Sequence, residues 1–170
     1  MTTPRVSKED YYLGIAREVA RRSTCFRRSI GAIIVRDDQI ISTGYVGAPR
    51  KTRDSVEHGF CLRDRLGIPH GQRYELCRSV HAEQNAIINA ARAGVSLLGG
   101  DMYIFGTAMD GGAVINAFPC FICKKMIINA GLTRVVCSTA AGAPAIFTIE
   151  EWATAWREGD ILDDTHQYGS

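Results

Sequence analysis

The chain has 170 residues, 46% hydrophobic and 22% charged, which fits an ordinary globular domain and not a disordered or membrane-spanning chain. Its 20 basic and 18 acidic side chains leave a net charge of +2, too small a surplus for a typical nucleic-acid-binding domain. That balance still allows a small anionic substrate met by a few local arginines.

Residues 7–22 carry Tyr12, Ile15, Ala16, Val19 and Ala20 at helical spacing. Ser7 is placed to cap that helix, and Glu9 and Asp10 suit its first turn. Two apolar runs, 30–35 and 40–45, flank Asp37-Asp38 and predict a hairpin. Residues 46–78 show no sustained period. So long an excursion within one domain is expected to be functional or internally stapled, and it holds Cys61 and Cys77. A helix is expected over 82–93, closed by Gly94, and a strand over 102–107. Asp110-Gly111-Gly112 reads as the turn of an insertion, 108–118, before a helix over 120–130 that Gly131 ends. A short strand follows over 134–138. The capping box Thr148-Ile149-Glu150-Glu151 opens a last helix through Trp156, with Trp152 and Trp156 on one apolar stripe. The order α-β-β-α-β-α-β-α predicts an α/β fold with helices on both faces of a mixed sheet. We expect a single domain over 1–159 and a polar tail over 160–170.

The start, Met1-Thr2-Thr3-Pro4-Arg5, has no apolar h-region, and no apolar run is long enough to span a membrane. A soluble, cytoplasmic protein is therefore expected. Six cysteines, two of them in a Cys-x-x-Cys pair, then read as metal ligands in preference to disulfides.

The chemistry concentrates in His81-Ala82-Glu83 and Pro119-Cys120-Phe121-Ile122-Cys123, each opening a predicted helix. Cys120 and Cys123 share one face of a first turn, and His81 sits at the start of the other helix. If the two helix ends converge, both positive dipole ends favour thiolates there. Three protein ligands leave one tetrahedral position open, as in a catalytic zinc site, and zinc lowers the pKa of its water to roughly 7. Glu83 reaches that water as general base and acid. A redox Cys-x-x-Cys pair would need a thioredoxin-like context. A structural zinc would need a fourth cysteine or histidine nearby.

His-x-Glu with Pro-Cys-x-x-Cys is the signature of zinc-dependent nucleobase deaminases. The chain resembles the cytidine and deoxycytidylate deaminase superfamily, most of all its deoxycytidylate (dCMP) deaminases, over about residues 7–138. The resemblance also runs through Arg22-Ser23-Thr24-Cys25, Gly31-Ala32-Ile33-Ile34-Val35, Thr43-Gly44-Tyr45-Val46-Gly47-Ala48-Pro49, His81 to Ile87 and Ile127-Ile128-Asn129-Ala130-Gly131. It implies a three-layer α/β/α fold with a five-stranded mixed sheet, and zinc-dependent deamination of dCMP to dUMP. It further implies a homo-oligomer, a hexamer or dimer, and nucleotide effectors (dCTP, dTTP) acting with magnesium. By the same resemblance, Cys25 with Cys61, Cys77 and His58 could hold a second, structural zinc. The alternative is a small buried thiol at Cys25 and a surface loop residue at His58.

Two features depart from the family. Val46 stands where an asparagine commonly contacts substrate, which leaves open a different nucleobase, nucleoside or modified cytosine nucleotide. The 108–118 segment is longer than usual. For the substrate, backbone near Ala82 could read the ring edge, and Phe105 or Phe118 could stack on the ring or fill the core. Arg27, Arg28, Arg50, Lys51 and Arg53 could meet a 5′-phosphate, or form a solvated basic face. Ser23 and Thr24 could add hydroxyls. His70 and His166 read as exposed bystanders. Near-neutral charge argues against an editing deaminase on nucleic acid, and an intact Glu83 against a non-catalytic zinc scaffold.

Overall fold

The Ser7 hydroxyl accepts the Asp10 N–H (3.0 Å) and opens helix α1, Lys8–Ala20, in the computed structural model, which describes residues 5–109 and 112–159. Strands β1 (Arg28–Arg36) and β2 (Gln39–Tyr45) form the expected hairpin. Asp37 and Asp38 both take left-handed backbone, φ 51° and 60°, as a tight turn matched to sheet twist requires. The 46–78 excursion holds two short helices, α2 (Ser55–His58) and α3 (Leu62–Arg65), and a 3-10 turn over Tyr74–Leu76. Helix α4 spans Ala82–Ala93 and ends at Gly94 in left-handed backbone, φ 68°. Strand β3 (Asp101–Ala108), helix α5 (Phe121–Asn129) and strand β4 (Arg134–Cys137) follow. Strand β5 (Ala145–Thr148) leads into helix α6 (Ile149–Glu158), whose capping box forms as expected.

The five strands lie in the order β2-β1-β3-β4-β5. β3 and β4 are parallel, joined through α5, and the other neighbouring pairs are antiparallel. Strand β5 is a finding that the residue pattern did not yield. It is four residues long at an edge, and its side chains are half-buried or exposed, so no apolar run marks it.

Helix α1 covers one face, packing Tyr12, Leu13 and Ala16 on Ile33, Val35, Tyr103, Phe105 and Val136. Residues from α4, α5 and α6 cover the other, packing Ala86, Ala90, Ile127 and Trp152 with Ala32, Ile34, Met102, Ile104 and Val135. Alternate residues of β1 and β3 thus enter opposite layers, and both strands read as continuous apolar runs because both faces are buried. Among the described residues, no helix is long and apolar enough to cross a membrane.

Helix α4 sits unusually close to β2. A Cβ on Gly44 would fall 2.3 Å from the Ala86 nitrogen and 2.4 Å from the Ala82 oxygen. Hydrogen bonds then fix the helix along the strand: Ser42 Oγ donates to Ala86 O (2.6 Å), Asn85 Nδ2 to Tyr45 O (2.8 Å) and Asn89 Nδ2 to Thr43 O (2.7 Å). Beyond β3, the Ala108 N–H donates to Ala113 O and the Ile115 N–H to Gly106 O, so the insertion folds back on its strand. Asp110 and Gly111 of its expected turn, and the 160–170 tail with His166, lie outside the described residues.

Candidate active site

The start of α4 is positioned by the close seat on β2 and by Gln84, whose Oε1 accepts the His81 N–H (3.1 Å). His81 is the N-cap of α4 and Cys120 the N-cap of α5, both in extended backbone. Fully buried Pro119 precedes Cys120, and fully buried Cys123 lies in the first turn. The two helix N-termini converge as their motifs require. His81 Nδ1 stands 3.5 Å from Cys120 Sγ and 3.4 Å from Cys123 Sγ, and all three ligand atoms lie within 4.8 Å of one another. A tetrahedral zinc with bonds of about 2.0–2.1 Å to nitrogen and 2.3 Å to sulfur requires N···S separations near 3.5 Å. The donor set therefore fits zinc in both chemistry and spacing.

These groups share protons unevenly. A hydrogen bond from Cys123 pulls the Cys120 thiol down to about 4, with help from His81 and against the effect of burial. Cys123, as donor in that bond and itself buried, is pushed well up. Burial alone would lower His81, but the Cys120 hydrogen bond and the Glu83 charge outweigh it and raise the imidazole. Glu83 is 5% exposed, and burial drives its carboxyl upward, against the pull of His81. A carboxyl raised in this way holds a proton more readily than an exposed one, as a proton carrier requires.

His81, Glu83 and Cys120 open onto one cavity, walled by Val46, Phe118, Ser79 and the 46–78 excursion. Val46 is buried there, its N–H donating to Ile30 O and its carbonyl accepting from the Thr24 N–H. Gly47 and Val80 exchange backbone hydrogen bonds of 3.2 and 2.8 Å, closing the neck of the excursion just before His81. Phe118, 43% exposed, presents its ring at the cavity and meets Phe147 edge-on at 5.3 Å.

Several expected substrate residues lie elsewhere. Phe105 faces α1 on the opposite side of the sheet, 5.9 Å from the Arg17 guanidinium, because odd-numbered β3 residues point that way. Ala82 is wholly buried with its carbonyl close to β2, but it lies between His81 and Glu83, which line the cavity. The Ser23 hydroxyl is committed to Ile30, bonding both its N–H and its carbonyl at 3.0 Å. Arg50 donates to Asn89 (2.6 Å), Lys51 is an exposed left-handed turn residue and Arg53 donates to Glu57 O; none of the three lines the cavity. Arg27 and Arg28 do line it, although Arg27 is tied to Asp64 (2.7 Å) and Ile68 O (2.9 Å).

Cys25, Cys61 and Cys77 line the same cavity, whereas His58 does not and meets Phe60 edge-on at 5.8 Å. His70, expected as a bystander, lines the cavity while remaining exposed. Sequence reasoning also missed Arg63 and Tyr74. The Tyr74 ring meets His81 edge-on at 4.9 Å, and the Arg63 guanidinium lies 4.9 Å from the Tyr74 ring centre. Both sit in the aperiodic segment, where no spacing signals which charges turn inward.

The family model for the cytidine and deoxycytidylate deaminase zinc-binding region matches residues 6–139. Deoxycytidylate deaminase of Mycobacterium phage D29 is 33% identical over 133 residues, covering 75% of this chain and 91% of the phage protein. Deoxycytidylate deaminase of Schizosaccharomyces pombe is 31% identical over 136 residues, covering 80% of this chain; the chain spans 38% of that longer relative. Among solved structures, dCMP deaminase of cyanophage S-TIM5 superposes with a TM-score of 0.58 at 24% identity, over 80% of this chain and 86% of the phage chain. That likeness supports the fold.

Proposed function

The chain belongs to the zinc-binding cytidine and deoxycytidylate deaminases, and from that premise we propose that it hydrolyses the amino group of a cytosine nucleotide, dCMP, giving dUMP and ammonia. The observation that carries this reading is a buried carboxyl, Glu83, beside a three-donor metal cluster at the floor of one cavity.

His81, Cys120 and Cys123 would hold the zinc. Bound there, zinc supplies a Lewis acid that lowers the pKa of water to about 7. Glu83 takes the proton from the attacking water and delivers it to the ring nitrogen next to the reacting carbon. It then takes the remaining proton of the added hydroxyl to the amino group, the carbon–nitrogen bond breaks and ammonia leaves as the carbonyl forms. Burial raises its carboxyl, which favours the proton-carrying form it needs as a donor. Phe118 and Val46 both line the cavity and give the ring apolar surface, Val46 at the position where the family resemblance leads one to expect an asparagine.

The test is ammonia release by zinc-loaded protein from dCMP, CMP, deoxycytidine, dCTP and 5-methyl-dCMP. We expect dCMP to be preferred; no release from any cytosine compound would overturn the reading. The buried Val46 favours a second reading, a modified cytosine nucleotide, and faster turnover of 5-methyl-dCMP than of dCMP would select it.

We also propose a second, structural zinc on Cys25, Cys61 and Cys77, with His70 in place of His58. All four line the cavity, although no three of their ligand atoms gather within 4.8 Å of one another as those of His81, Cys120 and Cys123 do, and Arg27 stands beside Cys25 and Cys61, where it would offset thiolate charge. Zinc content should fall from two per chain to one in Cys61→Ser and Cys77→Ser variants; no loss of metal would refute it.

A further inference from the structure

Ser138 follows β4 and is 4% exposed, and its N–H, carbonyl and hydroxyl are all engaged. The N–H donates to Ile104 O (2.9 Å), and the carbonyl accepts from the Ala117 N–H (3.0 Å). The hydroxyl accepts from the Gly106 N–H (3.1 Å) and donates to Ile115 O (3.2 Å). Two of these bonds go to β3 and two to the insertion before the cysteines, so one residue joins three segments. Its neighbours complete the clamp. The Ile115 N–H donates to Gly106 O (3.1 Å), and Asn116 Oδ1 accepts the Ala140 N–H (3.0 Å). A Cβ on Gly106 would fall 3.1 Å from both Ile115 Cγ1 and Ala117 Cβ, so the insertion lies tight on the strand. Ile115, Asn116 and Ala117 are thus each tied down in turn, and the next three residues are Phe118, Pro119 and Cys120.

We propose that Ser138 is a positioning residue for the deamination site: by clamping the insertion, it sets where the Phe118 ring and the Cys120 sulfur stand relative to His81 and Glu83. The inference rests on the reading of the cavity as a site for a cytosine ring. Ser138 lies beyond the carboxyl ends of the parallel pair β3 and β4, the place where open α/β sheets hold their ligands. Phe118 is exposed and Cys120 is an N-cap, so burial in the core fixes neither of them fully. Pro119 between them is fully buried but has no N–H to bond. Their position therefore depends on the bonds made just upstream. Removing the Ser138 hydroxyl leaves the Gly106 N–H and Ile115 O without their partner, and a buried donor left unmet drives the chain to shift. A displacement of about 1 Å is enough to change binding or turnover by an order of magnitude or more.

The test compares zinc-loaded wild type with Ser138→Ala, Asn116→Ala and Tyr12→Phe. Ser138→Ala should raise KM for dCMP and deoxycytidine alike, by roughly tenfold with kcat within about twofold, because the ring wall serves both substrates. Release of zinc to a chromogenic chelator is the second readout, and one phase of it should quicken roughly tenfold. Asn116→Ala, at an exposed position, should move both quantities in the same direction and by less. Tyr12→Phe removes a hydroxyl bond on the far face of the sheet and should lower the melting temperature without changing either. If Ser138→Ala and Asn116→Ala melt earlier but keep wild-type KM and zinc release, or if Tyr12→Phe shifts them equally, Ser138 only stabilises the fold and the proposal is overturned. If Ser138→Ala does not fold, Asn116→Ala decides alone. If wild type deaminates no cytosine compound, the deaminase reading fails, and zinc release in the variants still decides whether the clamp places Cys120.

Discussion

Two regions meet at the cavity and are built in opposite ways. The metal end consists of two helix N-termini, each fixed by backbone geometry and close packing: α4 seated on β2, and α5 entered through buried Pro119. The facing wall is the 46–78 excursion, whose helices are four residues long and whose charged side chains are held by loop carbonyls and ring stacks. The first region has one geometry because a metal accepts little else. The second has many solutions, because an anion and a sugar can be reached from many loops. On the proposed function, the reaction chemistry belongs to the helix-start half, and the irregular half supplies much of the cavity wall that a substrate would meet.

Removing metal should separate the halves most sharply. Cys120→Ser or Cys123→Ser should lose the catalytic zinc and all detectable ammonia release; chelator dialysis of wild type should do the same, reversed by added zinc. Retained zinc with full turnover would contradict the assignment. Glu83→Gln comes next. It should keep zinc, measured by metal analysis, and lose roughly 10²- to 10⁴-fold in kcat.

Restoring an amide in the wall by Val46→Asn should change kcat/KM for dCMP by roughly tenfold in either direction, leaving zinc content as it was. A fall in zinc would place Val46 with the metal end instead. Gly44→Ala tests the rigidity of the metal end from below. The added methyl would overlap the α4 backbone, and should cost about 1–3 kcal/mol of stability, read by chemical denaturation.

The smallest effect should come from the far face, which serves neither region. The Tyr12 hydroxyl donates to Asp38 Oδ1 (2.6 Å), and that bond, with burial and the Asp38 charge, pushes the phenol up to about 12. The same bond, with Lys8, holds the Asp38 carboxyl below its ordinary range. The contribution should therefore be present across neutral pH. It should be lost as pH rises from about 10, the ordinary phenol value, toward 12, and again in acid as Asp38 protonates. Tyr12→Phe should cost about 1 kcal/mol near pH 7, with the gap to wild type closing at both extremes in pH-dependent melts. Deamination kinetics should be untouched.

The asymmetry between the two regions also explains what could be read from residues alone. His81, Glu83, Cys120 and Cys123 were legible because helix starts, metal spacing and proton transfer each restrict residue type and interval. Helix α4 was legible to its ends, since Gly94 and the run of helix formers leave little choice. For Phe105 the choice between ring stacking and core stays open because β3 is apolar on both faces, so its pattern carries no parity to say which side a ring takes; the structure gives the core. Arg63 and Tyr74 were invisible because nothing periodic marks an inward turn in an irregular segment. Arg50 and Lys51 follow the solvated alternative for the same reason, being near in sequence to the cavity and outside it in space. Strand β5 was lost to brevity, and the five-stranded sheet was expected from resemblance instead of pattern.

The paired backbone bonds between Gly47 and Val80 have a consequence for how such chains diversify. They make the excursion a loop whose two stems touch, so it can lengthen, shorten or be exchanged without moving the strand that precedes it or the histidine that follows it. A change of ligand preference can then be made in part by replacing one cassette, while the helix starts that carry His81 and Cys120 stay in place. Transplanting the segment between these stems from a relative with a different substrate would carry the preference with it.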